Sequence, residues 1–189
     1  LFAQNGFTDI LVTSQIVTQR KIRRLCALAR DTKLTVAVDS DRNVSDLSEA
    51  ARAVSATLNV VVDIHTGLDR SGVEPGRPAL TLAKRIAKAE ALHFAGLMTY
   101  EGPILCGDAD QRASESRKWI QQVLDTREMV EKVGIPVETV SVGGTHNYEI
   151  AGAMSGVTEV PAGAYALMDD RYAGHRDGLV PAARVMSTV

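Results

Sequence analysis

The sequence predicts an α/β fold built on a parallel sheet. Three observations carry this. Short runs rich in Val, Ile, Leu and Ala alternate with segments whose apolar residues recur at helical spacing. The apolar runs are continuous rather than alternating, the mark of strands covered on both faces. Polar and glycine residues collect where the runs end, and in parallel α/β proteins ligands sit at the carboxyl ends of strands.

The elements follow in order. Asp9-Ile10-Leu11-Val12-Thr13 reads as a first strand, and Ile22, Leu25, Cys26, Leu28 and Ala29 mark the helix after it. Lys33 to Asp39 is the second strand, followed by a helix from Val44 to Val54 opened by Asp41 or Asn43. Leu58 to Ile64 is the third strand, with a helix over Pro78 to Ala89. His93 to Tyr100 is the fourth, and a long amphipathic helix from Asp110 to Lys132 ends at Gly134. Val137 to Val142 is the fifth, a short helix covers His146 to Ala153, and Val157 to Val160 is a sixth strand. Six βα units fit a doubly wound sheet or most of a (β/α)₈ barrel. No G-x-G-x-x-G follows the first strand, which weakens a dinucleotide-binding reading.

Composition narrows the function classes. The chain has 189 residues, 45% of them hydrophobic, enough for one domain with a sizeable core. A net charge of −2 and few aromatic residues argue against a nucleic-acid partner. No apolar run approaches the roughly 20 residues of a membrane-spanning helix, and no signal-peptide pattern is present in these residues. Cys26 and Cys106 lie far apart with no metal-ligand spacing, so a cytoplasmic location is expected. The chain starts at Leu1 without Met, and Leu1 to Gly6 resembles the last turn of a helix with a glycine cap. Leu179 to Val189 reads as an apolar strand entering a further domain. The expectation is therefore a piece of a longer protein: residues 1–175 a partial barrel, residues 176–189 the start of a β domain.

The strand ends hold the candidate chemistry. Asp63-Ile64-His65-Thr66-Gly67-Leu68-Asp69-Arg70-Ser71-Gly72-Val73 delivers an arginine on a glycine-containing turn. A guanidinium is a permanently charged fork suited to a phosphate, carboxylate or phenolate oxygen. Ser14 and Gln15 follow the first strand, Asp39 and Asp41 the second, Tyr100 and Glu101 the fourth. The two aspartates and Glu101 read as polar because strand ends reach the surface. Gly143-Gly144-Thr145-His146 follows the fifth strand and forms a backbone cup with N–H groups for a phosphate. Pro161-Ala162-Gly163-Ala164-Tyr165 follows the sixth. If two strands precede Leu1, these two loops follow strands seven and eight, where barrels commonly bind phosphate.

These segments resemble a known family. Thr66-Gly67-Leu68-Asp69-Arg70-Ser71-Gly72 is similar to the T-G-M-x-R-x-G run of alanine racemase barrels, and Gly96-Leu97-Met98-Thr99-Tyr100 to that family's G-L-M-T-H strand end. Thr8 to Val12, Tyr100-Glu101-Gly102, Val140 to Thr145, and Glu159 to Tyr165 through Met168-Asp169 resemble D-threonine aldolase and its relatives more closely. Those relatives include 3-hydroxyaspartate aldolase and metal-dependent D-serine dehydratase. The resemblance covers nearly the whole chain in order. It implies an incomplete (β/α)₈ TIM barrel of about six βα units that binds pyridoxal 5′-phosphate (PLP), from a two-domain lyase acting on D-3-hydroxy amino acids, a homodimer at full length.

By the same resemblance, Arg70 meets the cofactor's phenolic oxygen or the substrate carboxylate, and Tyr100 lies against the pyridine ring. Thr145, with the backbone of Gly144, Gly163 and Tyr165, holds the phosphate, and Gln15 faces the cofactor. The racemase has an arginine just before its last-strand glycine; Pro161-Ala162 stand here, which argues against racemase chemistry. His65 replaces a usual Asp and reads as a strand-end residue; Trp119 reads as packing. His146 and His175 have no second ligand at metal spacing. The Schiff-base lysine is expected upstream of Leu1, and the ligands of a divalent metal past Val189, so no catalytic lysine is expected among these residues. The leading expectation is retro-aldol cleavage to glycine and an aldehyde. The alternatives are a metal-dependent D-serine dehydratase, a non-catalytic PLP-binding barrel, and a phosphate-binding barrel unrelated to PLP.

Overall fold

The structure, a computed structural model, describes residues 1–101, 108–168, 178–183 and 186. Gly102, Cys106, Asp169, Arg171, His175, the expected domain boundary after residue 175, and most of the tail past Ala183 lie outside the described residues. Five strands form one sheet: β1 (Asp9–Val12), β2 (Lys33–Val38), β3 (Leu58–Asp63), β4 (Leu92–Met98) and β5 (Thr139–Ser141). Helices α1 (Gln19–Leu28), α2 (Asp41–Ala53), α3 (Arg77–Ala87) and α4 (Ala109–Glu131) lie between them in turn, and α5 (Tyr148–Ala153) follows β5. All neighbouring pairs are parallel, and the spatial order is the sequence order. A doubly wound sheet reverses strand order at a switch point. No reversal occurs here, so the sheet is a curled segment of an α/β barrel wall, and the ambiguity left by periodicity is removed.

The two faces of the sheet differ as a barrel wall requires. Val36, Val38, Val60, Val62, Phe94 and Leu97 point to the helices and join Ile22, Leu25, Leu47, Leu82, Ile86 and Ile120 in the main core. Ala37, Val61, Ala95 and Met98 form a separate inner cluster, with Leu11 packed against it. An apolar inner face separate from the helix-facing core is what a packed barrel interior requires. Each fully buried aliphatic side chain contributes roughly 1.5–3 kcal/mol, so the helix-facing layer dominates stability.

Several local boundaries differ from the sequence reading. Ser40, rather than Asp41 or Asn43, caps α2: its Oγ accepts the Asn43 N–H at 3.4 Å, and Asp41 is the first helical residue. Leu1 to Gly6 closes as a single 3₁₀ turn, Ala3–Asn5, with Gly6 left-handed at φ 88°. The expected sixth strand is reduced to one parallel bridge, Ser141 to Glu159. The reason is Thr158: its hydroxyl takes the Val140 N–H at 2.8 Å, in place of a backbone carbonyl of a regular ladder.

Gly96 fixes the join between β4 and β5. The register of β3 with β4 shifts between Val60 and Val61, leaving Ala95 as an extra residue, and Gly96 sits at φ 155°. A Cβ there would lie 1.9 Å from the Thr139 carbonyl oxygen. Glycine alone allows the two backbones to approach, and the pairing Gly96 to Thr139, Leu97 to Val140 and Met98 to Ser141 follows. Gly96→Ala is expected to destabilise the full-length protein by about 3 kcal/mol or more, read as a drop in denaturation midpoint; an unchanged midpoint contradicts the assigned approach.

Candidate active site

Because every strand is parallel, all carboxyl ends share one rim, and the site is built there. The turn after β3 is shaped first. Gly67 has φ 91°, Asp69 φ 53° and Gly72 φ 101°. A Cβ on Gly72 would lie 2.6 Å from the His65 nitrogen, so the turn folds tightly back on the strand end. Asp39 Oδ2 accepts the Gly72 N–H at 3.2 Å. Asp63 Oδ2 accepts from Ser71 Oγ at 2.9 Å and from Gln15 Nε2 at 2.7 Å. Burial holds the Asp63 carboxyl above the usual carboxylate range, and those two hydrogen bonds partly offset it. Trp119 on α4 covers Gly67: an added Cβ would meet its ring at 2.9 Å. Thr66 and Thr99 are buried and joined through their hydroxyls, and Thr99 Oγ1 donates to the Ile64 carbonyl at 2.7 Å. Arg70 is thus presented from a turn tied down on several sides.

Arg70 and the end of β4 meet across one cavity. The Arg70 guanidinium carbon lies 5.5 Å from the Tyr100 ring centroid, a cation–π arrangement. Tyr100 also meets His146 edge to face at 5.7 Å. Gly144 permits this, since a Cβ there would come within 3.1 Å of Tyr100 Cε2. Thr13, Arg70, Met98, Thr99, Tyr100, Gly144, Thr145, Pro161, Gly163 and Ala164 line a cavity of about 250 Å³. That volume lies just below the usual range of ligand clefts, which run from roughly 300 Å³ upward. The buried Thr145 hydroxyl accepts the Tyr165 N–H at 3.1 Å, so the loops after β5 and after the Glu159 bridge converge. The N–H groups of Gly163 and Ala164 have no partner among the described residues.

The structure sorts the expected residues. Arg70, Tyr100, Gly144, Thr145 and Gly163 come together around the cavity. Gln15 does not line it; its side-chain amide is bonded to Asp63, and Thr13 faces the cavity from that strand end. Tyr165 contributes its N–H to Thr145, while its ring borders an adjacent apolar cavity of about 430 Å³ with Tyr148, Val160, Ala162 and Leu179. The cup at Gly143-Gly144 does not offer both amides to a ligand. Gly143 N–H donates to Glu101 Oε2 at 3.1 Å, and Gly144 N–H to Asn147 Oδ1 at 2.9 Å. His65 is half-buried and borders a small cleft beside Arg70.

Glu101 is the main departure from the sequence reading. It is 4% exposed rather than a surface carboxylate. Asp39 likewise is half-buried and bonded to Gly72. Burial pushes the Glu101 carboxyl up to about 7, against a smaller opposing effect of its own backbone N–H, Asn147 and Gly143. The available signal was strand alternation: Leu97 faces the helices and Met98 the barrel interior, so continuing the period of two turns Tyr100 inward and Glu101 toward the helices. The folded-state value lies above the ordinary 4.5, so the stabilisation from this proton is complete below pH 4.5 and lost as pH rises through about 7. Difference infrared spectroscopy of the full-length protein should show a carboxyl band, absent in Glu101→Gln, that titrates near pH 7; a midpoint at 4.5 contradicts the burial assigned to it.

The model of the alanine racemase N-terminal domain matches residues 3–170, and the chain belongs to this family. Within it, the chain is 34% identical over 173 residues to the 3-hydroxy-D-aspartate aldolase of Paracoccus denitrificans (strain Pd 1222), and 31% identical over 172 residues to the D-threonine aldolase of an Arthrobacter species. Each match takes in 90% of this chain and 45% of the relative, so the chain spans about half the length of these relatives. The crystal structure of D-threonine aldolase from Filomicrobium marinum superposes with a TM-score of 0.88 at 33% identity, over 97% of this chain and 50% of that one. D-threo-3-hydroxyaspartate dehydratase from Delftia sp. HT23 gives 0.78 at 26%, over 90% and 46%.

Proposed function

We propose that this chain forms the cofactor-binding half of a PLP-dependent lyase that cleaves D-3-hydroxy amino acids to glycine and an aldehyde. The observation that carries this reading is the convergence of Arg70, Tyr100, Thr145 and Gly163 on one cavity at the rim. Similarity to two aldolases and to a D-threonine aldolase structure supports the reaction class.

The lining fits PLP. Thr145 brings a hydroxyl, Gly163 and Ala164 bring amides with no partner among the described residues, and Arg70 brings a fixed positive charge across the cavity. These are donors for a phosphate at one end and for a phenolate or carboxylate at the other. Tyr100, in the same lining, offers a flat face. When bound, PLP supplies an electron sink for the pair released at Cα as the Cα–Cβ bond breaks. Arg70 orients the cofactor ring through its phenolic oxygen or fixes the substrate carboxylate. Tyr100 holds the ring plane and keeps water from that face. Thr145, Gly163 and Ala164 would anchor the cofactor's phosphate. The β-hydroxyl of the substrate loses its proton as the aldehyde forms, and Cα gains one to give glycine.

None of the chain's lysines lies on this rim. Lys21, Lys84 and Lys118 are within helices, Lys88 and Lys132 at helix ends, and Lys33 opens β2. The Schiff-base lysine is accordingly expected from outside residues 1–189. Among the described residues no cluster of three His, Cys, Asp or Glu suits a divalent cation, and no step is assigned to a metal.

Titration of the full-length apoprotein with PLP, followed by product analysis on D-threonine and D-3-hydroxyaspartate, tests the reading. PLP binding with glycine and aldehyde as products is expected, and Arg70→Ala should weaken cofactor affinity or turnover at least tenfold, since losing a charge-assisted hydrogen bond costs about 1.5–3 kcal/mol. A keto acid and ammonia as products favour the dehydratase reading, supported by the similarity of this chain to the Delftia dehydratase structure. Absence of PLP binding overturns the proposal.

A further inference from the structure

We infer that Glu101 is a positioning residue: with Asn147 it grips the glycine pair of the loop after β5 from the side away from the cavity and so sets where Thr145 stands. The inference rests on the proposed PLP site and adds to it residues that do not line the cavity.

The hydrogen bonds form a closed pattern. Glu101 Oε2 takes the Gly143 N–H at 3.1 Å, and Asn147 Oδ1 takes the Gly144 N–H at 2.9 Å. Asn147 Nδ2 reaches Glu101 Oε1 at 3.5 Å and Ser116 Oγ on α4 at 3.3 Å. Glu101, Asn147 and Ser116 are at most 4% exposed, and none lines the cavity. The Gly144 amide fixes the orientation of the Asn147 carboxamide: its oxygen must face Gly144, so its NH₂ must face Glu101. Glu101 therefore faces two donors, Gly143 N–H and Asn147 Nδ2–H, and only a group with two acceptor atoms matches them. A carboxylate, the form Glu101 takes above about pH 7, does; a carboxamide in its place opposes a donor to a donor in a buried site.

The loop cannot move freely around this grip. A Cβ on Gly143 would lie 2.8 Å from Ala151 Cβ and 2.9 Å from Asn147 Oδ1. On the cavity side, Gly144 lies against the Tyr100 ring, and Thr145 takes the Tyr165 N–H. Thr145 follows directly on the held pair. A shift of Gly143 and Gly144 is thus a shift of the hydroxyl proposed to hold the phosphate.

A polarity swap tests this. Glu101→Gln alone and Asn147→Asp alone each leave mismatched groups, two donors face to face in the first and two acceptors in the second. Together they restore the match. The new carboxamide at position 101 accepts from Gly143 through its oxygen and donates through its nitrogen to the new carboxylate at position 147. That carboxylate in turn accepts from Gly144 and Ser116. The measurements, on the full-length protein well above pH 7 so that Glu101 is ionised, are the PLP dissociation constant of the apoprotein and the ³¹P chemical shift of the bound cofactor phosphate. Each single variant should weaken PLP at least tenfold and displace the ³¹P resonance, and the double variant should recover both to near the wild-type values. A merely structural role moves the melting temperature but leaves the ³¹P shift of the bound fraction unchanged, and that result overturns the inference. Where Glu101→Gln does not fold, Glu101→Asp keeps the charge and withdraws it by one methylene; several-fold weaker PLP binding in that variant supports the positioning role, and unchanged affinity with an unchanged ³¹P shift overturns it. Wild-type protein that binds no PLP overturns the proposed function and this inference with it. Wild-type binding with unaltered single variants overturns the inference alone.

Discussion

The close approach of β5 to β4 at Gly96 is the constraint on which the site depends. Without a side chain at this position, the Thr139 carbonyl can sit where a Cβ would be. The pairing then runs to Met98 and Ser141, and Thr99 N–H continues it to the Ser141 carbonyl at 3.0 Å. That register brings the residues after the two strands side by side. Tyr100 meets Gly144, and Glu101 meets Gly143. The packing of one glycine, well below the rim, thereby determines which groups face each other at it.

Both sides of the β4 terminus are used, and for opposite purposes. Tyr100 turns into the cavity, where Arg70 lies over its ring. Glu101 turns to the helices, where Asn147 and Ser116 enclose it. The turn after β3 follows the same logic. Arg70 points into the cavity, while Asp63, Asp39 and Trp119 hold its turn from behind. The charged and aromatic groups that line the cavity are fixed by groups behind them that do not line it. This division keeps the cavity-lining donors available, at the cost of carboxyl groups held in a poorly solvated layer.

Much of this is legible in the sequence. Continuous apolar runs identify β1 to β5 because a strand covered on both faces has no polar side to alternate with. Arg70, Tyr100, Thr145 and Gly163 are legible because each sits where a strand or bridge ends, and in a parallel sheet those ends share one rim. The shortening of the sixth strand is not legible, because composition cannot show that the Thr158 hydroxyl replaces a backbone acceptor. The true place of Gln15 is hidden because its reach to Asp63 depends on a partner 48 residues away. The Gly143-Gly144 cup reads as open because Glu101, which takes the Gly143 amide, is 42 residues away, and Asn147, three residues past Gly144, reads as part of the short helix that follows. These departures share one cause: side-chain hydrogen bonds leave no periodic trace.

The account is tested most directly by a crystal structure of the full-length protein with PLP bound. It predicts the phosphate within hydrogen-bond distance of the Thr145 hydroxyl and the Gly163 and Ala164 amides, the pyridine ring against Tyr100, and Arg70 facing the phenolic oxygen or the substrate carboxylate. Gly143 and Gly144 should remain bonded to Glu101 and Asn147. A cofactor bound away from this rim contradicts the account, as does a phosphate held by the Gly143 and Gly144 amides after they have left Glu101 and Asn147.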